Sequence, residues 1–548
     1  SMLSYHQQRN SFLEHASTTK FGLIVIGGGI TGCGIALDAQ SRGIPTLLIE
    51  MHDIASGTSS RSTKLIHGGL RYLKQFEFGL VQETGRERAV VNRLAPHITV
   101  PEPMLLPIIQ GGSMPKWMAS LGTWMYDFLA GVKKHESRKV LNRAETIAQE
   151  PLLAGANVTG GIHYYEYRTD DARLTIAVAH TAQNQGATIL TYTKVLELLY
   201  EAGIIIGVKV LDTRTNKEYI FKGIQVVNAT GPWVDTIDVQ DIDIRKDKLI
   251  LTKGVHIVVD AAKFPIKQAA YFDVGDGRMV FAIPREGKTY IGTTDTKYTG
   301  GYEEPGIEAS DKKYLIECVS LVFPTVKLTV EDIESYWSGL RPLIREKNSK
   351  SPSAISRKDE IFKSKTGLLS IAGGKLTGYR KMAERITDII SARLDKMYDL
   401  APCKTETHIL YGGDIAKFGG LKKFIELKLP EFTSEGIDAI TATRLIRLYG
   451  SNIEHYITEL HAIDPRLSTN DIPNWLKAQL QYTIKHEFVC KPDDFIVRRT
   501  SDYYFRRKNV SLYSDALIGA MKILLEWSEE EYQLNLTHWN HFSSNTLG

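Results

Sequence analysis

Residues 21–50 read FGLIVIGGGITGCGIALDAQSRGIPTLLIE, and no other stretch restricts the fold as strongly. An apolar run from Leu23 to Ile26 stops at Gly27-Gly28-Gly29. A helical pattern follows, with Gly32 and Gly34 in it, and a second apolar run ends at Glu50. Gly27, Gly29 and Gly32 satisfy G-x-G-x-x-G. In this setting the first glycine permits the tight turn, the second lets backbone approach a pyrophosphate, and the third lets helix settle on strand. The helix N-terminus offers N–H groups and the positive end of its dipole. Glu50 closes the second strand, roughly 20 residues on, where a carboxylate accepts from ribose hydroxyls. The bland alternative is a buried βαβ unit whose turn carries no ligand. A lone glycine pattern would not decide between them; strand, helix and terminal acid together predict a dinucleotide site, without separating NAD from FAD.

Parallel, nucleotide-binding pieces recur over 21–95, about 170–233 and 365–397. Residues 249–345 alternate short strands with turns (MVFAIP, REGK, TYIGTTDT), the pattern of an antiparallel sheet. Beyond about residue 408 the pattern is almost entirely helical, with a capping box at Ser528 and Glu531. The expected domains are an N-terminal arm over 1–20, a discontinuous nucleotide-binding domain from 21–95, 170–248 and 346–400, a substrate domain from 96–169 and 249–345, and a helical domain over 401–548. No second G-x-G-x-x-G occurs. If the cofactor is FAD, the chain has no module for NADH, so the reductant must be the substrate and the oxidant something other than a nicotinamide nucleotide.

A net charge of +4 is too small to argue for a nucleic-acid partner. The four cysteines contain no C-x-x-C, so no metal site is expected. The first twenty residues have no apolar core of a signal peptide, and no 18-residue apolar stretch spans a bilayer. Residues 116–132 form an amphipathic helical pattern, read first as core packing and second as an interfacial surface. Arg498-Arg499 and Arg506-Arg507-Lys508 read first as a solvated charged face and second as a contact for lipid head groups or a dimer partner.

The stretch Gly57–Leu73, GTSSRSTKLIHGGLRYL, is dense in hydroxyl and cationic side chains directly after the first βαβ. Taken in order with IGGGITGCGIALDAQSRG, VVNATGPWVD, IGTTDT, SGLRPL and SIAGGKLTGYR, it resembles the FAD-dependent glycerol-3-phosphate dehydrogenases of the respiratory, membrane-associated kind. The resemblance covers about 20–395 and, more loosely, the helical remainder. It implies an α/β FAD-binding domain of the glutathione-reductase-like Rossmann type with an inserted antiparallel β substrate domain like that of D-amino-acid oxidases. The helical pattern adds an all-α C-terminal domain. It also implies oxidation of sn-glycerol 3-phosphate to dihydroxyacetone phosphate by hydride transfer to FAD N5, with electrons passed to a membrane quinone, menaquinone or ubiquinone. The location implied is cytoplasmic, peripheral on the inner face of the cell membrane; a homodimer is left open. The alternatives are a glycerol-3-phosphate oxidase using oxygen and an amine or amino-acid oxidase of the same fold family.

By the same resemblance, Arg71, Tyr72, His256, Thr294, Arg341 and Lys375 bind substrate. Arg341 and Lys375 assist chemistry, and His256 is the expected general base, since imidazole takes a proton near neutral pH. Two arginines and a lysine suit a phosphate dianion. The expected cofactor contacts are Gly27, Gly29, Gly32, Glu50, Thr58, Ser59, Ser62, His67, Gly69, Ala229, Gly231, Gly374, Lys375, Leu376 and Thr377. The bland alternatives are surface charge for each arginine and a structural strand residue for His256.

Overall fold

The computed structural model describes residues 5–66, 78–112, 138–242, 249–275, 277–302, 305–344, 360–373 and 376–544. From the N-terminus the chain runs α1 (Tyr5–Thr18), β1 (Lys20–Ile26), α2 (Ile30–Arg42), β2 (Thr46–Ile49), β3 (Leu65–Ile66), α3 (Phe78–Leu94), β4 (Thr99–Ile109), β5 (Lys139–Asn142), α4 (Arg143–Gln149) and β6 (Val158–Thr169). It continues through α5 (Asp171–Asn184), β7 (Thr188–Leu190), β8 (Thr193–Glu201), β9 (Ile204–Asp212), β10 (Lys217–Asn228), α6 (Val234–Asp238), β11 (Leu249–Asp260), β12 (Ala269–Asp273), β13 (Met279–Arg285), β14 (Lys288–Gly292) and β15 (Thr296–Lys297). After α7 (Ala309–Val322), β16 (Ile333–Ile344), β17 (Glu360–Lys363), β18 (Leu369–Ala372) and α8 (Tyr379–Leu394), the described chain is helical to Ser544.

These strands form two sheets. In the first, β18, β10, β1, β2 and β7 lie side by side and parallel, with β17 antiparallel at one edge. Strand β1 is buried throughout after Lys20, as a parallel strand covered on both faces must be. Helix α2 packs between α5 and α8 and ends at Gly43, whose φ of 107° supplies the left-handed cap. Strand β10 is long enough to serve twice: its first half pairs with β9, its second with β1 and β18.

The second sheet runs β15-β11-β14-β13-β12-β4-β6-β3, with β16 on β11 and β5 on β6. It is antiparallel except where β12 meets β4. The hairpin between β13 and β14 turns at Glu286 and Gly287, both at positive φ. The pair Leu65–Ile66, in a stretch read as nucleotide-binding, pairs with β6 here. The chain thus crosses from one sheet to the other within GTSSRSTKLI. The second sheet also carries the C-terminal helices: Met104, Phe281, Tyr290 and Trp337 share one apolar cluster with Leu480, Phe495, Phe505, Leu517 and Trp539.

Two readings of charge change in three dimensions. The polar α1 buries one face, with Tyr5, Arg9, Leu13 and Ala16 at helical spacing. Arg9 pairs with Asp212 at 2.9 Å, both buried. Arg498 and Arg499, expected on a solvated face, are likewise buried, because both bond to the fully buried Asp53. Ser528 does cap its helix, accepting from Glu531 N–H at 3.1 Å. The amphipathic segment 116–132 lies outside the described residues. Among the described residues no helix is long and apolar enough to cross a membrane.

Removing one partner of a buried ion pair leaves an uncompensated charge, at a cost of about 3 kcal/mol or more. Arg9→Ala is therefore expected to destabilise the protein by about that amount in chemical denaturation, although Arg9 lies in a helix of low apolar content.

Candidate functional site

A cavity of about 1020 Å³ opens between the two sheets. That is at the upper end of the ~300–1,000 Å³ usual for ligand pockets, so it suits a long ligand. Its nucleotide-sheet side comprises Gly27–Thr31, Glu50, Ala229–Trp233, Ala372, Leu376 and Thr377. Thr58, Ser59 and Arg61–Thr63 form the bridge, and Tyr164, Tyr271, Phe281, Thr293, Asp295 and Arg341 form the second-sheet side.

The glycine turn is built for close approach. Gly27 sits at φ 120°, and a Cβ there would lie 2.2 Å from Ala229 O. A Cβ on Gly32 would lie 1.9 Å from Gly27 O, so Gly32 packs helix on turn and does not itself line the cavity. Helix α2 begins at Gly29, which has no side chain to cap it. Glu50 accepts from Gly28 N–H at 2.8 Å and His52 N–H at 2.7 Å. Burial raises its carboxyl pKa against the lowering effect of these bonds. Each oxygen keeps a second lone pair for a ribose hydroxyl.

The expected phosphate-binding hydroxyls are mostly committed elsewhere. Thr58 donates to Leu340 O at 2.7 Å and Ser62 to Asp171 at 2.7 Å. Ser59 accepts from Ile30 N–H at 2.8 Å, which leaves its own proton for a ligand. Ala229, Gly231, Leu376 and Thr377 all line the cavity. His67, Gly69, Arg71, Tyr72, Gly374 and Lys375 lie outside the described residues.

Asp171, fully buried at the first turn of α5, holds the bridge. It accepts from Ser62 N–H, the Ser62 hydroxyl, the Lys64 ammonium at 2.7 Å and Ala172 N–H. Lys64 takes φ 61°, a left-handed conformation uncommon outside glycine. Trp337 Nε1 donates to Ser62 O and the Tyr290 hydroxyl to Thr63 O, both at 2.9 Å. Thr63 is thereby fixed with its hydroxyl 2.9 Å from His256 Nε2.

On the second-sheet side Arg341 reaches the cavity with 24% of its side chain exposed. It lies across Gly254 on the neighbouring strand, where a Cβ would come within 2.6 Å of its guanidinium. It donates to the Thr293 hydroxyl at 3.1 Å, and Asp295 stands 3.9 Å from it.

Two expected substrate ligands do not line the cavity. His256 is 1% exposed and stacks on Trp337 with centroids 5.1 Å apart; Thr63 stands between it and the space. Burial, with Arg341 and Lys64 adding to it, holds its pKa well below the usual imidazole value. Thr294 accepts from Val255 N–H at 2.9 Å, so its hydroxyl serves the sheet. Thr293 and Asp295, in the link between β14 and β15, line the cavity instead. Thr63, Thr293, Asp295, Arg61 and Arg278 are cavity residues that the sequence reading missed. No local pattern marks Thr293 as the inward-facing hydroxyl, because it lies beyond the end of β14 at Gly292.

Comparison with known proteins identifies the family. Residues 23–380 match the family model described as FAD dependent oxidoreductase, and residues 403–532 the C-terminal domain of alpha-glycerophosphate oxidase. The chain is 49% identical over 532 residues to the aerobic glycerol-3-phosphate dehydrogenase of Staphylococcus aureus (strain USA300), covering 96% of this chain and 95% of that one. A glycerol-3-phosphate dehydrogenase from Bacillus halodurans, solved with FAD, superposes with a TM-score of 0.86 at 41% identity, over 100% of this chain and 99% of the other. An L-alpha-glycerophosphate oxidase from Mycoplasma pneumoniae, also with FAD, shares the fold at 17% identity and a TM-score of 0.56, over 71% of this chain and 97% of that one.

Because a methyl at residue 32 meets backbone it cannot displace, Gly32→Ala is expected to lose the dinucleotide and about 1–3 kcal/mol of stability. Nucleotide released per chain on denaturation checks the first, a melting curve the second.

Proposed function

The chain belongs to the family of FAD-dependent glycerol-3-phosphate dehydrogenases, and from that membership we propose that it oxidises sn-glycerol 3-phosphate to dihydroxyacetone phosphate, passing the electrons to a membrane quinone. The observation that carries this reading is Arg341, held over Gly254 beside Thr293 at the wall of a cavity that also contains the dinucleotide turn. A guanidinium donates two parallel hydrogen bonds to a phosphate. Arg71 and Lys375, assigned by resemblance, add two further cations, a set that favours a dianion over a single carboxylate. The glycine turn, the uncapped helix start and Glu50 fit FAD's pyrophosphate and ribose. Bound FAD supplies a two-electron acceptor for the hydrogen on C2.

The C2 hydroxyl also needs a proton acceptor. Thr63 takes the proton at its hydroxyl oxygen while its own passes to His256 Nε2, 2.9 Å behind it. His256 is neutral in the free protein, since burial and the charges of Arg341 and Lys64 oppose protonation. A phosphate dianion on Arg341 offsets one of those charges and makes the imidazole more basic when substrate is present.

The relatives named as dehydrogenases, at 49% identity, favour a dehydrogenase over an oxidase, and the quinone follows from the motif resemblance. On this reading the chain lies peripherally on the inner face of the cell membrane. The C-terminal match to the oxidase's domain keeps oxygen as a second reading. The test is an anaerobic absorption spectrum of the holoprotein with sn-glycerol 3-phosphate. Bleaching of the oxidised flavin supports the substrate, and persistence removes it. Readmitted air separates slow recovery, a dehydrogenase, from fast recovery, an oxidase.

Thr63→Val and His256→Gln are each expected to slow flavin reduction by about 10²-fold or more, the usual weight of general-base catalysis, with FAD content unchanged. A wild-type rate in Thr63→Val would remove the relay. Arg341→Lys is expected to raise KM about tenfold, as one charge-assisted hydrogen bond is worth about 1.5–3 kcal/mol.

A further inference from the structure

The fully buried Asp53 lies three residues beyond Glu50, in the turn that follows β2. That turn is tied to the dinucleotide motif at two points. Gly28 N–H donates to Glu50 at 2.8 Å, and Ala55 N–H donates to Gly28 O at 2.9 Å. Ala55 takes φ 63°, a conformation that an alanine keeps only where its surroundings impose it.

Asp53, two residues before it, is held from the other end of the chain. Arg498 Nε donates to Asp53 at 2.7 Å, and Arg499 grips the same carboxylate with both terminal nitrogens, at 2.8 and 2.7 Å. The two arginines are oriented in turn. Arg499 donates to Glu487 O at 2.7 Å, and Arg498 reaches Asp494 at 2.9 Å and Asp493 at 3.2 Å. Tyr192, whose N–H donates to His52 O, gives its hydroxyl to Asp494 at 2.5 Å. Burial, then the neighbouring Asp53 and Asp493, push the Asp494 carboxyl up to about 6. Near neutral pH the network therefore holds two guanidinium cations against Asp53, Asp493 and a carboxyl close to its titration range.

The proton relay through Thr63 and His256 does not use this network, which meets the chain three residues after Glu50. We propose that the helical C-terminal domain is a cofactor-retention element, acting through Arg498 and Arg499 on Asp53 to hold Glu50 and the Gly28 backbone in the geometry that binds FAD. Asp53 and the two arginines are positioning residues, as none lines the cavity. Coupling of this kind is reciprocal: if the clamp tightens FAD binding, FAD binding tightens the clamp. The inference rests on FAD as cofactor and is independent of the substrate.

The test follows FAD release from the full-length holoprotein by the rise in flavin fluorescence after dilution. Arg499→Lys keeps the charge but loses the two-pronged grip, and Asp53→Asn keeps the shape but loses the charge. Glu286→Gln is the control: Glu286 bonds Arg444 and Arg506, so it joins the second sheet to the C-terminal helices without touching Asp53. Both clamp variants are expected to release FAD at least tenfold faster, while the control releases it at the wild-type rate even where its melting temperature falls as far. Release that tracks melting temperature alike in all three, or is unchanged in Arg499→Lys, overturns the proposal. Should the variants not fold, amide exchange on wild-type protein decides. FAD is expected to slow exchange tenfold or more in 50–56 and 487–499 together; protection confined to 50–56 overturns it. The FAD retained by Arg499→Lys should still be bleached by sn-glycerol 3-phosphate. If even wild-type protein is not bleached, the substrate reading fails and the release result stands.

Discussion

The cavity depends on one carboxylate. Asp171 gathers two backbone N–H groups, a hydroxyl and an ammonium where the chain leaves one sheet for the other. A buried carboxylate is expensive unless its lone pairs are filled, and here the filling groups are Ser62 and Lys64 of the crossing segment itself. Satisfying Asp171 and shaping the wall are thus the same event. The helix start beside it favours the negative charge further. With the crossing segment fixed from one side by Asp171 and from the other by Trp337 and Tyr290, Thr63 has one place to be, and the two sheets have one distance at which to face each other.

Local signals in the sequence survive into the structure. The glycine turn, the strand before it and the acid after it are legible because each follows from backbone sterics within about thirty residues. The hairpin at Glu286–Gly287 and the Ser528 cap are legible for the same reason. Side-chain direction at the site was less so. Motif matching points to Thr294 and gives position but not side-chain direction; the hydroxyl that faces the cavity is that of Thr293, just past the end of β14. His256 was recognised by motif, but that it stands behind Thr63 depends on packing against Trp337. The hardest residues were charged ones. Arg9, Arg498 and Arg499 look like solvent-facing cations until Asp212 and Asp53 are placed, and no local pattern announces a partner 445 residues away.

The architecture alone does not choose a reaction. A glycerophosphate oxidase shares it at 17% identity, and at that level only the fold is held in common. Discrimination has to come from cavity groups. A narrow glycine turn asks for a dinucleotide, while a cation above a glycine and a hydroxyl backed by an imidazole ask for a small, anionic, hydroxylated molecule beside it.

The clamp on Asp53 also sets a timetable for biosynthesis. The glycine turn and Glu50 leave the ribosome early, but β18, which closes the parallel sheet, is not made until residue 369. The guanidinium partners of Asp53 come later still, after a separation of 445 residues. At ~5–20 residues per second, roughly 20 to 90 s pass between the two ends of that ion pair. During that interval the nascent nucleotide-binding half carries a carboxylate destined for burial with no cation to meet it. On the proposed clamp, flavin taken up before Arg498 and Arg499 are made is held less firmly than in the finished chain.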